Sequence, residues 1–120
     1  MKKIVFALFL IMIVTGLAGC NNHRFANASE RNINIATRTV EIADDFLDAR
    51  ISAEIARERM EALAPIEYGG VDDLANSGLS ANVGLLQTIV RFPSQDATEH
   101  WDNVLERRNE LAVGLGMRRR

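Results

Sequence analysis

Between residues 30 and 63 the polar side of the helical pattern swings by nearly half a turn, and no other feature of the chain limits its fold as strongly. Ile33, Ala36, Val40, Ala43 and Leu47 form one apolar row, and Ile35, Ile42, Phe46 and Ala49 form a second beside it. The spacing is helical and the apolar face is wide. With Ile35 at 0° and about 100° per residue, Thr37, Glu41, Asp44, Asp45 and Asp48 lie at roughly 180–300°. Arg50, Glu54, Arg57, Glu58 and Glu61 lie at roughly 40–140° on the same wheel. A seam through Ile35, Thr39, Ile42, Phe46, Ala49, Ala53, Ala56, Met60 and Leu63 would suit one long coiled-coil helix, but that helix would wet different sides in its two halves. A turn at Ala49 to Ser52 removes the conflict. The expectation is therefore a helix from about Glu30 to Asp48 capped by Ser29, then a second from Ala53 to about Leu63, capped by Ser52 and stopped by Pro65.

The string from Leu47 to Met60 resembles a helix–turn–helix phrase of small bacterial helical proteins, in which glycine often holds the place of Ala49. The likeness is local and implies no function. Residues 64–78 break the pattern with Pro65 and the glycines at 69, 70 and 78, and read as a long loop. A third helix is expected from about Leu79 to Arg91, with Leu79, Val83, Leu86 and Val90 in one row and Leu85, Ile89 and Phe92 in another. Apolar over most of its girth, it is the candidate central element. Pro93 ends it. Ser94 is the expected cap of a fourth helix, in which Ala97, Trp101, Val104, Leu105, Arg108, Leu111, Ala112 and Leu115 recur at helical spacing and Trp101 reads as a core anchor.

Four such helices describe a small all-α bundle over residues 30–116. Cys20 is the one cysteine of the chain, so no internal disulfide can staple the bundle and packing has to hold it. The four final residues, Met117-Arg118-Arg119-Arg120, read as a flexible basic tail.

The other organising stretch is the first twenty residues. Lys2 and Lys3 precede an apolar run from Ile4 to Val14, too short for a comfortable membrane span and of the form of an export signal. Leu17-Ala18-Gly19-Cys20 then fills the four positions of the lipobox, and the stretch resembles a bacterial lipoprotein signal. The resemblance implies cleavage after Gly19 of a signal peptide covering 1–19, diacylglyceryl transfer to the Cys20 thiolate, and acylation of the new amino terminus. More than one chain is what stable anchoring needs, at about 0.8 kcal/mol per buried methylene. It also implies an extracytoplasmic site: the periplasmic face of the outer membrane if the cell is Gram-negative, since Asn21 rather than Asp follows the cysteine, or the outer face of the cell membrane if Gram-positive. Residues 20–29 are polar and aperiodic and read as a flexible tether with a mean reach of roughly 17 Å. The lipidated start and helical body also resemble murein lipoprotein, whose wall attachment uses a C-terminal lysine; this chain carries arginines there.

Chemistry-bearing motifs are sparse. Without Lys2 and Lys3, twelve of the fourteen basic residues face sixteen acidic ones, a net charge of −4 with neutral histidines, which disfavours nucleic acid as a partner. Every remaining basic residue is arginine. Asp44 and Asp48 fall at positions one and five of a calcium loop, but Phe46, Ala49 and Ile55 occupy places that need ligands or glycine. Gly69-Gly70 has no following Lys-Thr and makes no phosphate loop. His23 reads as a solvated tether residue, and Asp96 with His100, one turn apart, as a surface pair lacking any nucleophile or third ligand. No catalytic residue, metal or cofactor is therefore expected. Tyr68, Asp72 and Asp73 on the 64–78 loop are the candidate partner contacts, since long ordered loops often carry function. The resulting expectation is a lipid-anchored, non-enzymatic protein-binding or structural module of the cell envelope; the alternative is a ligand- or wall-binding module with a pocket in the bundle.

Overall fold

The computed structural model describes residues 24–70 and 72–120. The signal segment 1–19, with Leu17, Ala18 and Gly19, and the anchor residue Cys20 lie outside the described residues. Four helices make the fold: α1 Glu30–Leu47, α2 Ala53–Glu61, α3 Leu74–Arg91 and α4 Ala97–Gly114. Among the described residues there is no strand, and the architecture is the expected small all-α bundle. None of these helices is long and apolar enough to cross a membrane.

The break near residue 50 is built as a complete Schellman closure. The Ala49 amide donates to the Phe46 carbonyl at 3.0 Å and the Arg50 amide to the Asp45 carbonyl at 2.8 Å. Ala49 sits at φ 60°, the left-handed conformation in which glycine is the usual residue. Ser29 and Ser52 cap α1 and α2 as expected, accepting from the amides of Asn32 and Ile55. The first predicted row of α1 and of α3 buries, with Ile33 half-buried at its start: Ala36, Val40, Ala43 and Leu47 from α1 and Leu79, Val83, Leu86 and Val90 from α3 are core, as are Ala56 and Met60 from α2. Of the second row of α1, Ile42 is buried, Ile35 and Phe46 are half-buried and Ala49 is exposed in the turn.

α3 packs against each of the other three helices, and so does α1, so the two share the central place expected of α3 alone. It begins five residues earlier than expected, because Asp73 accepts from the Asn76 amide at 3.3 Å and caps a first turn whose Asn, Ser and Gly are weak helix formers. The cap of α4 also differs from expectation. Asp96, not Ser94, accepts from the amides of Thr98 and Glu99, at 2.9 and 3.1 Å. Its charge suits the positive end of the helix dipole.

Two segments read as flexible are folded down. Of the expected tether, residues 24–29 belong to the body: Phe25 is buried, its amide donates to the Gly114 carbonyl at 3.1 Å, and its ring lies between Gly78 of α3 and Gly114 of α4. A Cβ on Gly114 would stand 2.4 Å from the ring, a separation no real pair of carbons keeps, so this helix end needs a glycine. At the other end Arg120 is not a free tail residue. Its guanidinium pairs with Asp44 at 3.2 Å and with Asp48, and its amide donates to Asn109 Oδ1 at 2.8 Å.

Candidate functional site

Two buried polar arrangements hold the frame on which any site must sit. In the first, Arg108 of α4 presents its fork to Asp44 of α1, with Nε donating to Oδ1 at 2.7 Å and Nη2 to Oδ2 at 3.1 Å. Its Nη1 donates to Asn109 Oδ1 and to the Arg118 carbonyl. Planar two-point pairing of this kind is what arginine provides and lysine does not. Arg120 closes the network, and its hydrogen bond holds the Asp48 carboxyl below the usual carboxylate range.

In the second, Asn32 of α1 is buried and spends its amide on the loop. Nδ2 donates to the Glu67 carbonyl at 2.6 Å and to Asn76 Oδ1 at 2.8 Å, while Oδ1 accepts from the Glu67 amide at 3.2 Å. Asn76 Oδ1 also accepts from the Ser29 amide. The long loop is thereby pinned by its backbone to the start of α1, and buried donors and acceptors are satisfied in pairs. Neither arrangement was legible in the sequence; a lone Asn on an otherwise apolar helix side was the signal available.

The three loop residues singled out divide. Asp73 is consumed by local structure: its carboxylate accepts from Asn76 and from the Gly69 amide, and those hydrogen bonds, the Asn76 side chain first, lower its pKa. Tyr68 and Asp72 are exposed and available to a partner.

His100 overturns the expectation of a surface pair. It is 5% exposed, stacked edge-on against Phe46 with ring centroids 5.3 Å apart, and neither ring nitrogen has a hydrogen-bond partner. Burial pushes its pKa down, so the neutral ring is the form that packs. Asp96, busy as a cap, does not reach it. Trp101 departs from its expected core role too: it is 38% exposed, and its indole Nε1 donates to the Leu47 carbonyl at 3.1 Å, satisfying one of the acceptors α1 leaves open at its end.

Among the described residues no three His, Cys, Asp or Glu side chains gather as a metal would require. The grooves are superficial. One of about 330 Å³ between α1 and α2 is lined by Arg38, Glu41, Asp45 and Arg59, charges that already pair with one another.

What the structure leaves uncovered is one side of α3. Leu85 and Phe92, expected to bury in a second row, are 47% and 68% exposed, and Leu74 is 77% exposed. With Ala81 and Thr88, also exposed, they recur at spacings of seven, four, three and four, the rhythm of a coiled-coil seam. From Leu74 to Val90 the helix carries no charged residue at all. The strip runs about 27 Å along the helix, at 1.5 Å per residue. The signal was in the sequence, since α3 is apolar nearly all round; a four-helix body supplies too few neighbours to cover every side. No protein-family model, no curated protein and no solved structure matches the chain.

Proposed function

We propose that the chain is a lipid-anchored cell-envelope protein that acts without catalysis, holding an apolar helix of a partner protein along the outward strip of α3. The carrying observation is the seam of Leu74, Ala81, Leu85 and Thr88, uncharged until it ends at Phe92, over whose ring the Arg91 guanidinium is stacked at 5.5 Å; its alternating spacing matches the way one helix seats its side chains on another. Soluble surfaces seldom leave an elongated strip free of charge, and a helix laid there would bury it. Exposed Tyr68 and Asp72 provide polar contacts on the neighbouring loop. A ligand or wall fragment held in a bundle pocket is the weaker reading, because the grooves are open and the charges that line the one between α1 and α2 satisfy each other.

The anchor in this reading is Cys20, supported by the lipobox Leu17-Ala18-Gly19-Cys20, and the location is the extracytoplasmic face of a membrane. The test is photocrosslinking in intact cells from a benzophenone residue placed at Leu85 or Phe92, compared with one at Glu54. The seam positions should each yield the same discrete adduct with another protein and Glu54 should not. Crosslinks that are absent at the seam, or equal at all three positions, would refute the docking face. Cys20→Ser with cell fractionation tests the anchor separately, and should release an unprocessed or soluble form.

A further inference from the structure

The burial of Phe25 fixes more than a tether length. Five peptide steps separate Cys20 from Phe25, and at no more than about 3.6 Å each the span is at most roughly 18 Å. The headgroup layer of one leaflet takes up some 5–8 Å of that reach, leaving about one helix diameter. A body held so close cannot tumble freely above the bilayer. The leash brings the side on which Phe25 is seated within reach of it, and the chemistry of that side decides what makes contact.

That side has a composition suited to the contact. A groove of about 360 Å³ beside the Phe25 socket is lined by Arg24, Asn82, Glu110, Val113, Gly114 and Arg119. Arg24 stacks over the Phe25 ring, 5.1 Å from guanidinium carbon to centroid, and Val113 is exposed on the last turn of α4. Glu110, the acidic member, is bonded to Arg107 at 2.9 Å. Two arginines are left beside an exposed aliphatic side chain. This is the pattern that meets anionic phosphates with the cations and the headgroup boundary with the apolar group.

We infer that the Arg24, Val113 and Arg119 side of the bundle lies on an anionic lipid surface, the short leash and the Phe25 socket bringing that side within reach and the two arginines fixing the orientation of the whole domain. The inference rests on lipidation of Cys20. Asn82 lies about 80° round α3 from Leu74, so the docking seam stands beside the bilayer rather than against it. The orientation therefore leaves the seam open to a partner anchored in the same membrane.

The test uses the full-length protein expressed in cells, extracted from membranes with detergent and reconstituted into vesicles of phosphatidylcholine with phosphatidylglycerol. A lipidated Cys20 sulfur is blocked, so an environment-sensitive thiol dye can be placed at Val113→Cys or at Ile55→Cys. Ile55 is exposed on α2, whose first turn lines a groove with Val90 and Pro93 at the far end of α3 from Gly78. A headgroup-attached quencher should suppress the dye at 113 and leave the dye at 55 bright. Adding Arg24→Glu with Arg119→Glu should restore emission at 113. Equal quenching at both positions, or quenching at 113 that survives the charge reversal, overturns the orientation. A free Cys20 thiol in the extracted wild type, seen as dye labelling and a mass without lipid, instead overturns the anchor, and the orientation falls with it.

Discussion

Gly114→Ala should destabilise the protein although it replaces a glycine by the best helix former. In a helix end free of tertiary contacts the change would gain a few tenths to about 1 kcal/mol. Here the new methyl would stand 2.4 and 2.7 Å from two carbons of the Phe25 ring, so the ring has to leave its socket. Expulsion forfeits about 1.5–3 kcal/mol of aromatic burial and about 1 kcal/mol for the hydrogen bond from the Phe25 amide to the Gly114 carbonyl. Against the helix gain, the net loss is about 1.5–4 kcal/mol, a fall in Tm of the order of 10–20 °C for a domain of this size. Trp101, the sole tryptophan, reports unfolding in urea or on heating. The decisive comparison is a double-mutant cycle. In a Phe25→Ala background the socket is vacant, and Gly114→Ala should turn neutral or stabilising, giving a coupling of about 2 kcal/mol. If Gly114→Ala stabilises the wild-type chain, or the two changes add, the socket does not hold Phe25 as described and the short leash built on it fails as well.

Three further outcomes are expected. Ala49→Gly relieves a left-handed alanine worth about 1 kcal/mol of strain, partly offset by the freer unfolded chain, so Tm should rise by a few degrees, and Ala49→Val should lower it. Arg108→Lys should cost about 2 kcal/mol in urea titration by losing the two-point pairing with Asp44, while Arg108→Ala should cost more by emptying a buried site and leaving Asp44 to Arg120 alone; equal stability of Lys and Arg at 108 would remove the fork from the argument. His100 has a folded pKa below its unfolded value of 6.5, so its unfolded form takes up the proton first. Stability should be complete above about pH 6.5 and decline as the pH falls below it, and His100→Phe should flatten that part of the profile.

What the sequence determined by itself is the helical content and the apolar rows, because these depend on spacing along one element. Ala36, Val40, Ala43 and Leu47 on α1 and Leu79, Val83, Leu86 and Val90 on α3 could be named before any neighbour was known. The turn at Ala49 was legible too, since the polar side of a helix cannot rotate by half a turn without a break. The resemblance of Leu17-Ala18-Gly19-Cys20 to a lipobox is equally local. Tertiary structure decided everything that joins residues far apart in the chain. Gly78 looked like a loop residue and Gly114 carried no apolar signal, yet together they form the socket for Phe25. Asn32 and Asn76 carried no periodic signal, but their mutual bond ties the loop to α1, next to the turn where the Asp73 cap starts α3 five residues early. The Asp44–Arg108 pair spans 64 positions, and no local pattern announces it. The open strip on α3 is the clearest case. Its apolar residues were plain in the sequence, but which side of the helix faces the bundle and which faces outward depends on how the other three helices pack around it.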